Sequence, residues 1–146
     1  MKEDRILRIY TDGGCAGNQS DENLGGWKEY KEAMTKYTDS ISENYYTMDN
    51  VTTANTMNDV VTYLYDHKED YKGLIKNMEK AEPGEYLDRD TQLSMPQKYG
   101  MYDYALNSVG FVECNTSYSI VVLTSLGDKG ADVMANINRI AYEHFK

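Results

Sequence analysis

Two short runs in this sequence carry residue types that do chemistry. In Arg8-Ile9-Tyr10-Thr11-Asp12-Gly13-Gly14-Cys15-Ala16-Gly17-Asn18, a carboxylate stands where a β-prone run gives way to a glycine-rich turn. Asp12 reads either as a catalytic acid or as the residue that caps that turn through its side-chain oxygens. In Gln97-Lys98-Tyr99-Gly100, a lysine stands beside a tyrosine and a glycine, where it is a positioned cation or an ordinary lysine. Other chemistries are disfavoured at once. Cys15 and Cys114 are far apart, as are His67 and His144, so no metal-ligand spacing arises and free thiols are expected. The 15 Lys and Arg are scattered singly among 24 Asp and Glu, giving a net charge of −9. Such a chain repels phosphate backbones, which disfavours a nucleic-acid partner.

The elements that must position these residues follow from periodicity. Ile6 to Thr11 favours a strand, and Asp12 to Gly26, with five glycines, is turn and loop. Trp27, Tyr30, Met34 and Tyr37 fall at helical spacing, and Thr38 to Val51 is a polar, irregular connection. Thr52 or Thr53 is a good N-cap for a helix whose apolar stripe is Met57, Val60, Val61 and Leu64. A second helix spans about Tyr71 to Lys80, with Leu74, Ile75 and Met78 inward, until Pro83-Gly84. Glu85 to Met95 favours no element. From Ala105, ALNSVGFVE and YSIVVLTSL predict an antiparallel hairpin turning at Cys114–Ser117. Ile120-Val121-Val122-Leu123 is apolar on both faces, which predicts a central strand. A last helix starts at Gly127-Asp128, with Val133, Ile137, Ile140 and Ala141 as its expected buried stripe. The 14 Tyr against 2 Phe suggest half-exposed packing surfaces. The fold class expected is α+β, an antiparallel sheet packed with helices.

The first run, with Gly25-Gly26-Trp27, resembles the opening strand and turn of ribonuclease H, over residues 6–27. That resemblance implies Asp12 as first carboxylate of a Mg²⁺ pair and Asn18 as a contact to the RNA backbone. Thr52-Thr53-Ala54-Asn55-Thr56-Met57 echoes the segment before that family's second carboxylate, but Asn58 holds its place, with Asp59 one step on. No later strand bears a third Asp. A single carboxylate does not hold two divalent ions, so Mg²⁺ is expected only if this resemblance governs the chemistry, and otherwise no cofactor.

From about Leu24 to Lys146 the chain resembles the C-terminal part of the penicillin-recognising serine hydrolases, class A β-lactamases and their relatives. LGGWKEYKEAMTKY is similar to the helix after that family's second motif, and NVTTANTMNDVVTYLYDHKE to its Asn-x-Thr-Thr helix start. QKYG stands where the family carries Lys-Thr-Gly on an inner strand; the hairpin and closing helix match its last elements in order. The resemblance implies a β-lactamase-like fold in which Lys98 offers a cation to a substrate carboxylate, with Tyr99 and Gly100 beside it. Tyr99 replaces the Thr whose short hydroxyl shares that contact. The family's nucleophile is a Ser with a Lys three residues on. None of Ser20, Ser40, Ser42, Ser94, Ser108, Ser117, Ser119 or Ser125 has one, and Ser20-Asp21-Glu22 departs from Ser-Asp-Asn at its third residue.

These readings combine into one domain over 1–146, with a ribonuclease H-like strand and loop (1–26) joined to serine-hydrolase-like helices, hairpin and C-terminal helix (27–146). The N-terminal strand is expected to pair with the edge of the hairpin sheet. The expected function is a β-lactamase-like remnant or chimera without the nucleophile and without catalysis. The alternatives are a Mg²⁺-dependent ribonuclease H-like hydrolase of RNA–DNA hybrids and a homo-oligomerising module. The charged N-terminus and lack of a long apolar run imply a cytoplasmic protein with no membrane partner.

Overall fold

The computed structural model describes residues 52–146, together with Lys36 and residues 39–41. The expected strand Ile6–Thr11, the glycine-rich loop and the helix expected over Trp27–Tyr37 lie outside the described residues, Lys36 apart. The described residues belong to one unit, Thr35–Lys146.

Helix α1 runs Ala54–Asp66, and Thr53 caps it: its extended backbone lets the side-chain hydroxyl accept from Thr56 N–H at 3.2 Å. Val61 and Leu64 are buried as expected and Met57 packs beside them. Helix α2 (Lys72–Met78) is short, with Met78 buried and Leu74 and Ile75 half-buried against the same cluster. Pro83 and Gly84 follow in a turn-rich loop, where Glu82 and Gly84 both take positive φ.

Among the described residues the sheet has three antiparallel strands: β1 (Gln97–Tyr102), β2 (Ala105–Val112) and β3 (Tyr118–Thr124) in the order β1-β2-β3. The hairpin of β2 and β3 turns through residues 113–117, close to the expected Cys114–Ser117. A tight turn at Asp103-Tyr104 joins β1 to β2, with Asp103 at φ +53°, a conformation aspartate tolerates. Among the described residues the expectation for β3 is corrected: β2 lies between β1 and β3, and β3 pairs with β2 alone. An apolar run on both faces signals cover above and below, and it carries no information about which strand has neighbours on both sides. Cover is what β3 has, with Ile120 and Val122 buried on one face and Val121 packed on the other.

Helix α3 (Lys129–Phe145) lies on one face of the sheet; α1 and α2 lie on the other. The α3 face takes Leu106, Val112, Ile120 and Val122 with Met134; the opposite face takes Val109 and Phe111 with Val61, Leu64 and Met78. The architecture is α+β, with helices on both sides of an antiparallel sheet.

The buried stripe of α3 is the second correction. Val133, Ile137 and Ile140 are 38%, 42% and 55% exposed, whereas Met134, Ala135 and Asn138 are fully buried. The helix carries two candidate faces, and size decides between them. At Gly130 an added Cβ would sit 2.6 Å from Thr124 Oγ1 and 3.4 Å from Leu106, so helix and sheet approach too closely for a side chain there. Gly130, Ala131 and Ala135 permit that approach; the bulkier Val133/Ile137/Ile140 track turns outward.

Candidate functional site

Asp12 and Asn18 lie outside the described residues. Lys98, Tyr99 and Gly100 lie together on β1. The register pairs Lys98 with Val109, Tyr99 with Ser108 and Gly100 with Asn107. Phe111 N–H donates to Pro96 O at 3.3 Å, so alternation makes 98/109 and 100/107 hydrogen-bonded pairs. Tyr99 therefore turns its N–H and C=O away from β2, toward the outer edge of β1, which no strand covers among the described residues.

The Lys98 ammonium sits at this edge. It donates to Tyr99 O and lies 4.9 Å from the centroid of the Tyr99 ring. Burial holds its pKa below the ordinary lysine value, and among the described residues no carboxylate pairs with it. The Tyr99 ring stacks on Tyr86 with centroids 4.5 Å apart, so it is committed to packing. A Cβ added at Gly100 would meet nothing within 4 Å, which leaves the strand surface open there.

What fixes β1 is a polar network that sequence reasoning missed. Gln97 is 1% exposed, and its side chain accepts from Leu87 N–H at 3.1 Å and donates to Asp88 Oδ1 at 2.9 Å. Asp88 Oδ2 accepts from Gly84 N–H at 2.9 Å. Asn138 donates to Leu87 O at 2.8 Å and accepts from Tyr118 O–H at 2.9 Å. Loop, β1, β3 and α3 are thus tied together, and Lys98 leaves the strand on the face opposite Gln97. The sequence signal was faint: an Asn amid apolar residues of α3, and a Gln directly before Lys98.

Ser108 lies on β2 opposite Tyr99. It is buried at 1% exposure and its hydroxyl donates to Lys98 O at 3.4 Å, which leaves it no approach to a substrate. Ser40, Ser94, Ser117 and Ser125 are exposed, and Ser119 shares a 2.6 Å hydrogen bond with Asn58. Asp59, the carboxylate considered alongside Asp12, is half-buried on α1. Among the described residues, no group of three or more His, Cys, Asp or Glu is arranged to hold a metal ion. Among the described residues, a cleft of about 400 Å³ lies between Tyr65, Asp66, Phe111 and Tyr118, and one of about 110 Å³ lies beneath Lys68, Ile75, Met95 and Glu113. Neither is lined by Lys98.

The order of elements around β1 can now be set beside known families. Residues 17–145 match the model of a family described as the beta-lactamase enzyme family. The chain belongs to this β-lactamase family. The match reaches back to Gly17, into the stretch that resembles ribonuclease H, and that second resemblance finds no support in the comparisons. A search of curated proteins returned no match. No helix among the described residues is long and apolar enough to cross a membrane.

Proposed function

We propose that this β-lactamase-family chain uses β1 as a docking edge for an anionic, amide-like ligand and forms no acyl-enzyme. The observation that carries the reading is the Lys98 ammonium. It is held at the strand edge, donating to Tyr99 O beside the outward-turned Tyr99 N–H, with no carboxylate partner among the described residues. A ligand carboxylate would draw the cation off Tyr99 O, and a ligand amide would then take the Tyr99 N–H and C=O as a short added strand. Covalent catalysis would need an activated serine. Within these 146 residues no Ser stands three before a Lys, and Ser108, the serine beside β1, is closed off by its own packing. The Thr hydroxyl of the family's Lys-Thr-Gly is replaced by the stacked ring of Tyr99.

The test is a fluorescent penicillin. Incubation followed by a denaturing gel should leave the protein unlabelled, and a labelled band would overturn the reading. Equilibrium binding followed by polarisation should weaken at least fivefold in Lys98→Met, since the charge-assisted contact contributes roughly 1–3 kcal/mol. Binding indifferent to Lys98 removes the role given to β1. Cleavage of an RNA–DNA hybrid with Mg²⁺, abolished in Asp12→Asn, would put the ribonuclease H-like alternative in its place.

A further inference from the structure

The outward track of α3 leaves an apolar stripe that the site on β1 does not use. Val133, Ile137 and Ile140 lie within an arc of about 60° on a helix of 3.6 residues per turn. Leu126, seven residues before Val133 and 52% exposed, continues their spacing beyond the helix start. Lys129 flanks one end of the stripe and Glu143 the other, and both are exposed. Fourteen residues separate them, about 21 Å along the axis.

From this pattern we infer that the stripe is the contact surface for a second copy of the same chain, with the two α3 helices antiparallel about a two-fold axis near Ile137. The charges choose the occupant and its direction. In the antiparallel arrangement Lys129 of each copy meets Glu143 of the other, Val133 lies on Ile140, and Ile137 lies near its own symmetry mate. A parallel pair would set Lys129 against Lys129 and Glu143 against Glu143. Glu143 keeps its helix partner Arg139 at 3.0 Å, so a second cation completes a three-charge cluster at each end. The stripe is narrow beside the ~800 Å² per partner of a standard interface, so association in the micromolar range is expected.

Sedimentation velocity of the 146-residue chain, from about 1 to several hundred micromolar, should give a concentration-dependent monomer–dimer equilibrium. Ile137→Lys should weaken it at least tenfold with an unchanged circular-dichroism spectrum, because the side chain replaced is 42% exposed. Lys129→Glu and Glu143→Lys should each weaken it, and the two together should restore it to within about threefold. These charge swaps touch no core residue, so they test the contact even if Ile137→Lys disturbs folding. A chain that stays monomeric at every concentration overturns the inference, as does a dimer indifferent to Ile137→Lys. Charge swaps whose losses add without rescue overturn it as well.

Discussion

On the face toward α1 and α2, the sheet meets Val61, Leu64 and Met78 with Val109, Phe111 and Val121, apolar groups whose contacts have no direction. On the face toward α3, the apolar set is larger, and Gln97, Asp88 and Asn138 run through it as buried polar groups with named partners. Apolar packing tolerates exchange between side chains of similar volume, because little beyond volume and burial is being matched. A buried polar network has no such tolerance, because each group left without a partner keeps its full desolvation cost. The α3 face therefore fixes where β1 lies, and with it Lys98. The other face supplies burial.

The comparison breaks most visibly at Gln97. Gln97→Leu keeps the volume but leaves Leu87 N–H and Asp88 Oδ1 without their partner, and should cost about 3–5 kcal/mol in urea unfolding. The matching exchange on the other face, Leu64→Met, should cost under about 1.5 kcal/mol. Equal costs would erase the distinction between the faces. Next in size is Gly110→Ala on β2. The new Cβ would stand 2.5 Å from the carbonyl oxygen of Pro96, a backbone atom that moves only with β1, so a loss of about 1–3 kcal/mol is expected. A neutral result would show that β1 can shift freely against β2.

The smallest effect sharpens the comparison through pH. Burial, with smaller contributions from Cys114 and Tyr142, pushes the Tyr118 phenol up to about 12 from 10.0. A raised folded-state pKa means the folded chain holds its proton longer than the unfolded chain. The associated stability is whole below pH 10 and is lost as pH rises from 10 through about 12. Tyr118→Phe should cost about 1 kcal/mol at neutral pH, by removing the donor to Asn138. It should also flatten the alkaline loss, as chemical unfolding at a series of pH values would record. An alkaline slope that persists unchanged in the variant would place the titration on another group.

How much of this was legible beforehand depends on what each residue reports. Thr53, the stripe of α1, the hairpin and the start of α3 were readable, because capping and hairpin chemistry act between residues close in sequence. Lys98 was legible as a strand lysine in a family position, while its open edge required the register of β1 on β2. The Gln97–Asp88–Leu87 cluster and its tie to Asn138 span separations of up to 51 residues, which no local pattern records. The face of α3 was misread for a related reason. Apolarity marks a helix face that can be buried, and Val133, Ile137 and Ile140 are such a face.

By itself, then, the sequence determined the kinds and order of α1, α2, the β2–β3 hairpin and α3, and the membership of residues 17–145 in the β-lactamase family. Each rests on interactions or patterns that run along the chain. Tertiary structure alone decided which track of α3 lies inward and, among the described residues, which strand lies between the other two and that Lys98 stands at an edge no strand covers. Those outcomes turn on how closely two elements approach. At Gly130 against Thr124 and Leu106, the approach leaves no room for a single methyl group.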